Sequence, residues 1–342
     1  MTDVSASAAR ETRAPSPPNR FRRLLYRPEA GALFAAIAVY VVFAIATRET
    51  NFVSFDGTAA WLDSAAELGI IAVAVGLLLI AGEFDLSIGA TLGASSIALA
   101  IGTRLYHIDI WIMIACVLAG SALIGFLNGL MVERTGLPSF IVTLATLLGV
   151  SGASLGLSRM LTNTTTVSMT ASPLATSLFA GRLGQANISI LWWLVITVLA
   201  SWVLGKTAFG NWIYATGGNL NAARSSGVPT SRVKITLFVT TALAASLVGV
   251  IQAIEFHSGN AANGQGYVFQ APIVAVIGGV LLGGGYGSAI GIFLGAVIYG
   301  VISVGIFYTG WNTDWIQLFL GALLLGAVMA NSYFRRLALS VR

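Results

Sequence analysis

Apolar runs of close to twenty residues recur along the chain, separated by polar stretches that are mostly short. About 20 apolar residues in helical form cross the hydrocarbon core of a bilayer. The alternating ten-residue segments of transmembrane strands are not found. The runs predict ten spanning helices, over 30–47, 60–81, 87–103, 110–132, 139–158, 189–205, 235–254, 271–283, 288–308 and 315–333. The eighth, "APIVAVIGGVLLGG", is short and glycine-rich, and reads as tilted, broken or partly re-entrant. Two connecting segments are long, 159–188 and 206–234.

Charge placement tests this pattern. With the N-terminus in the cytoplasm, ten alternating spans put 14 of the 18 Lys and Arg residues on the cytoplasmic side, as the positive-inside rule expects. Only Arg48, Arg104, Arg159 and Arg182 fall outside. One span more or fewer in the first half would send the basic 206–234 loop outside. The first 29 residues are polar, proline-rich and basic, and are expected to form a disordered cytoplasmic tail. Residues 30–333 form the transmembrane domain and 334–342 a cytoplasmic C-terminal tail. The first apolar run exceeds the 7–15 residues usual in a signal peptide, so an uncleaved first span is expected.

Composition supports the same class. The chain is 56% hydrophobic and 9% charged, against about 25% charged in soluble domains. Cys116 lies alone in an apolar run and reads as helix packing, without a disulfide. His107 and His257 lack metal-ligand spacing, so no metal site is expected, and nothing points to nucleic acid. Segment 159–188, rich in Thr, Ser and Ala, reads either as a flexible connector or as a functional loop.

The loop 206–234 contains "GGNLNAARSSGVPTSRVK". A short helix is expected in it, with Asn219 as N-cap, Gly227 in the left-handed closing position and Pro229 as a stop. Ala222 and Ala223 would give a small, smooth face. On the residues alone, an ordinary interhelical loop and a docking helix are equally good readings.

The spacing of "NAARSSG" resembles the Glu-Ala-Ala-x-x-x-Gly loop of ABC importer permeases, with Asn221 at the acidic position. The whole loop is similar to that of the ribose/xylose/arabinose/galactose permease family. "AGEFDLSIGATLGASS" (81–96), "NGLMVERTGLPSFIVTLATL" (128–147) and "GQGYVFQAPIVAVIGGVLLGGGYGSAIGIFLGAVIYGVI" (264–302) resemble three further segments of that family, in order. Glu83 departs from it, standing where the family usually has glycine. The resemblance implies an all-α, type II ABC importer-like transmembrane domain in a bacterial inner membrane, present as a homodimer in lipid. It implies a separate ATPase with two nucleotide-binding domains that uses ATP and Mg, and an external sugar-binding protein. The chain itself would bind no cofactor and carry out no bond chemistry. Asn221, Ala222, Ala223, Arg224 and Gly227 would dock on the ATPase.

Other residues have two readings each. Asp85 and Ser87 are read as capping the third span; a role for Asp85 in sugar binding is the lesser alternative. Asn128, Thr143, Thr146 and Gln252 could meet a polyol or bond between helices. Gly284 and Gly285 belong to a run that suggests a turn and close packing before a hinge. Trp311 and Trp315 read as interfacial anchors. "LGKT" (204–207) lacks the earlier glycine of a phosphate-binding loop, so ATP binding is rejected. Arg48, Arg104, Arg159 and Arg182 would receive the external binding protein. An ion-gradient-driven transporter is the alternative, disfavoured because Asp63 and Glu255 lie near span ends and no deep ion-pair chain is visible. A membrane scaffold without transport is a third class.

Overall fold

The computed structural model describes residues 28–340. The expected N-terminal tail lies almost wholly outside the described residues. The helices are α1 (Pro28–Ala46), α2 (Phe55–Ile80), α3 (Ile88–Arg104), α4 (Ile110–Thr135), α5 (Ser139–Thr162), α6 (Pro173–Phe179), α7 (Ser189–Lys206), α8 (Ala208–Gly218), α9 (Leu220–Ser225), α10 (Thr230–Glu255), α11 (Tyr267–Ile277), α12 (Ala289–Thr309) and α13 (Trp315–Ser340). Four short strands, β1 (Thr166–Ser168), β2 (Arg182–Leu183), β3 (Ala186–Asn187) and β4 (Ser258–Asn260), correct the purely α expectation. Helix α13 continues through most of the expected C-terminal tail.

The helix ends follow local chemistry. Ser54, Asp109 and Ser288 cap α2, α4 and α12 by accepting from Gly57 N, Trp111 N and Gly291 N, which supplies partners to helix-start amides. Gly136 and Gly310 close α4 and α12 in the left-handed conformation.

Among the described residues, seven helices, α1, α2, α4, α5, α7, α10 and α12, are long and apolar enough to cross a membrane. Helices α2 and α10 are mostly buried, whereas α1, α4, α5 and α7 keep large apolar side chains exposed. Cys116 is on an outward side of α4, exposed rather than packed as expected. The 17-residue α3 is buried along most of its length, enclosed by α4, α5, α10 and β4.

The eighth run differs most from expectation. Its helix covers only Tyr267–Ile277, and the backbone turns repeatedly over 278–288. The chain before it, 258–266, is non-helical and descends along α3. Asn260 N donates to Ser96 Oγ at 3.3 Å, and lower down Gly264 meets the backbone of Gly89, where either residue's Cβ would collide. Non-helical backbone at membrane depth is tolerated where protein covers it. Here α3 packs against that backbone.

Segment 159–188 is folded rather than a structureless connector. β1 pairs antiparallel with β4, Thr166 opposite Asn260. α6 starts from the cap Ser172, and β2 and β3 make a hairpin.

Candidate functional site

The loop expected to dock is built by α8 and α9. Asn219 Oδ1 accepts from Ala222 N at 3.0 Å and starts α9. Val228 N donates to Ala223 O at 3.0 Å, and Gly227, at φ +81°, lets the chain reverse. An L residue with a side chain rarely adopts that φ. Asn221, Ala222, Arg224 and Gly227 are exposed, but Ala223 is buried. The two alanines therefore share no outward face: adjacent helix positions differ by about 100°, and Ala223 turns inward.

Behind α9 lies an ionic cluster. Lys234 Nζ is 2.7 Å from Glu83 Oε1 and 3.0 Å from Glu133 Oε1. Glu133 Oε2 accepts from Ser231 Oγ and lies 3.4 Å from Arg224 Nη2. Arg224 Nε also donates to Thr230 Oγ1 at 3.1 Å. The side chains of Lys234, Glu133 and Glu83 are 8%, 8% and 13% exposed, against 51% for Arg224. Lys234, which the sequence places in a basic surface loop, is thus enclosed between two carboxylates. Glu83 has a definite partner.

One layer further in, the α2–α3 turn is held by a polar network. Asp85 Oδ1 accepts from Ser87 N at 2.9 Å and from Ser87 Oγ at 2.6 Å, and its Oδ2 accepts from Thr241 Oγ1. Asn128 Nδ2 donates to Ser87 Oγ at 3.0 Å, and Thr146 Oγ1 donates to Asn128 Oδ1 at 2.6 Å. Leu86 N donates to Thr143 Oγ1 at 3.1 Å and Phe84 N to Ser139 Oγ at 3.0 Å. Five of the singled-out residues, Asp85, Ser87, Asn128, Thr143 and Thr146, therefore meet in one cluster, the first four of them buried. Ser87 does not cap α3 with its side chain, as expected; Asp85 captures its hydroxyl instead. Thr241 and Ser139 were not legible as members. Thr241 stands two helical turns after Lys234, and only the packing of α10 on the turn reveals its role.

Gly284 and Gly285 stay outside this network. Gly285 N donates to Ile80 O at 2.7 Å, and Gly284 lies against Gly82 and Gly217. A Cβ on Gly217 would collide with Ile80 O. The end of α8, one residue before α9, thus rests backbone to backbone on the end of α2.

The order of the helices puts Arg48, Arg104, Arg159 and Arg182 at the opposite end. All four are exposed, and Arg48 lies 3.9 Å from Glu49. No hydrogen bond or ion pair joins these arginines to one another among the described residues. The same half holds a cavity of about 250 Å³ lined by Asp63, Glu67, Asn187, Glu255, Tyr267 and Tyr299, among others. Asp63 accepts from Asn187 N at 2.9 Å, and Asn187 Nδ2 donates to Glu255 at 2.8 Å. Gln252 and Tyr267 both donate to Glu67. The sequence separated these carboxylates as span-end residues; the fold gathers them, with Glu67 added. Gln252 bonds between elements here, to Glu67 on α2 and Tyr267 on α11.

The comparisons with known proteins agree with one another. The probable ABC transporter permease protein YphD of Escherichia coli K12 is 33% identical over 305 residues, 89% of each chain. The fructose import permease protein FrcC of Rhizobium meliloti is 31% identical over 91% of this chain and 87% of its own. The ribose import permease protein RbsC of Escherichia coli K12 is 30% identical over 86% and 92%. A permease component is a transport subunit, not an enzyme, and works in a membrane. The family described as the permease component of the branched-chain amino acid transport system matches residues 57–328, and with relatives aligned along nearly their full length, the chain belongs to that permease family.

Proposed function

We propose that this chain is the membrane-spanning subunit of a bacterial ABC importer that translocates a monosaccharide or related polyol. The observation that carries this is the likeness to the fructose and ribose import permeases over almost the whole chain. Beside it stands a capped, largely exposed short helix, α9, of the type that meets an ATPase. In this reading ten passages cross the inner membrane in a type II importer-like arrangement, the eighth formed by 258–266 together with α11. Both termini are cytoplasmic, two copies surround the path, and lipid covers their outer apolar faces. An ATPase with two nucleotide-binding domains uses ATP and Mg at the α9 side, and an external binding protein delivers the sugar at the opposite end. The chain itself needs no cofactor.

Proteoliposomes carrying the permease, its cognate ATPase and binding protein test the reading with labelled D-ribose, D-xylose and D-fructose. ATP-dependent uptake of at least one sugar is expected. The alternative, an ion-gradient-driven carrier, has one observation in its favour, the gathered carboxylates Asp63, Glu67 and Glu255. Uptake that collapses with the proton gradient and ignores ATP depletion would select it.

A further inference from the structure

The ionic cluster behind α9 spans four elements. Arg224 belongs to α9, Glu133 to the last turn of α4, Lys234 to the first turns of α10, and Glu83 to the α2–α3 turn. Two positive charges face two negative ones. Its inner contacts are short charge-assisted hydrogen bonds between enclosed groups, which are stronger than neutral ones. Removing Lys234 would leave two buried carboxylates uncompensated, whereas loss of one carboxylate leaves Lys234 the other. Its outer member, Arg224, is the half-exposed one, within reach of whatever rests on α9. The inner end is the turn that carries Asp85, whose network grips α10 through Thr241 and α4 through Ser87 and Asn128. The turn therefore follows the bases of α4 and α10.

We propose that Glu83, Lys234 and Glu133 form an ionic tie that delivers a displacement of α9, entering at Arg224, to the α2–α3 turn, and that they are positioning residues for coupled transport. The inference rests on the ABC permease reading. If the wild-type complex shows no ATP-dependent uptake, that reading falls, and this inference with it, before any variant is made.

The decisive comparison is Glu83→Gln against Glu83→Asp in the reconstituted complex, using the best transported of D-ribose, D-xylose and D-fructose. Folded yield, ATP hydrolysis and uptake are measured together. Glu83→Gln keeps the shape and loses the charge. It is expected to retain yield and ATP hydrolysis while uptake per ATP falls at least about fivefold, the lower end of coupling between linked sites. Glu83→Asp, which keeps the charge, is expected to recover most of that ratio. Lys234→Met would leave two enclosed carboxylates together and lose the fold as well, so it does not decide. Should Glu83→Gln fail to assemble, Glu133→Gln, which keeps the shape and removes the other carboxylate's charge, decides by the same ratio. An unchanged ratio in the deciding variant, uptake that falls only in proportion to yield, or an equal loss in Glu83→Gln and Glu83→Asp would overturn the tie.

Discussion

Asp85 accepts three hydrogen bonds while enclosed by protein. Truncating it strips buried partners, at about 1–3 kcal/mol for each group left unsatisfied. Asp85→Ala is therefore expected to lower the detergent-extracted yield and the thermal midpoint, and to reduce uptake of D-ribose and D-fructose alike. Normal yield with a changed sugar preference would instead make Asp85 a substrate ligand. Glu83 calls for a different expectation from its sequence. It stands where the family usually has glycine, yet its contact with Lys234 means that Glu83→Gly removes a partner from a buried ammonium and is expected to lower the folded yield. At Gly227 a β-branched residue would be forced into a positive φ, at a cost of order 1–3 kcal/mol. Gly227→Val should insert normally yet bind the ATPase poorly, as a pull-down from solubilised membranes would report. Full ATPase binding would remove α9 from consideration as the docking helix. Ala223→Glu is a poor probe of docking, because Ala223 is buried and the change would disturb packing as well.

Among the elements, the segment 258–277 is the most exacting. The turns at 261–266 lie so close to α3 that backbone meets helix backbone at Gly264 and Gly89. Gly264 also has φ +97°. Gly264→Ala should therefore depress folded yield. Gly266→Ala, two residues on, is the control: its new Cβ would meet only the side chain of Gln270, at 3.4 Å and beyond. Equal yields from the two variants, read by size-exclusion chromatography, would show that the close approach is not required.

At the scale of the molecule, the two ends differ in kind. One end gathers α9, the ionic cluster and the α2–α3 turn; the other presents scattered exposed arginines around a folded cap. Exposed charges steer encounter more than they add affinity. Reversing the charge of Arg48, Arg104, Arg159 or Arg182 should, for at least one of them, raise the binding-protein concentration that gives half-maximal uptake. Four reversals that leave that concentration unchanged would remove these arginines from the receiving surface.

The membrane class, most of the apolar spans and the short helix of the 206–234 loop, with its Asn219 cap and Gly227 reversal, were legible in the sequence, because each depends on local properties. Twenty apolar residues need lipid or a protein core, an Asn before a helix supplies an acceptor, and a glycine after it permits a left-handed turn. Residues far apart in sequence were not legible as partners. Glu83 and Lys234 lie 151 positions apart and Asp85 and Thr241 156, and no periodicity pairs them. The eighth apolar run was legible as irregular, but which part stays helical depends on which neighbour can cover an unpaired backbone. Ala223 has the same local signals as Ala222; packing against the body of the protein decides which of them is hidden. The sequence by itself determined what could enter a membrane and where the chain had to turn. The tertiary structure alone decided which buried charges meet, because that depends on how α2, α4 and α10 converge and not on the composition of any one of them.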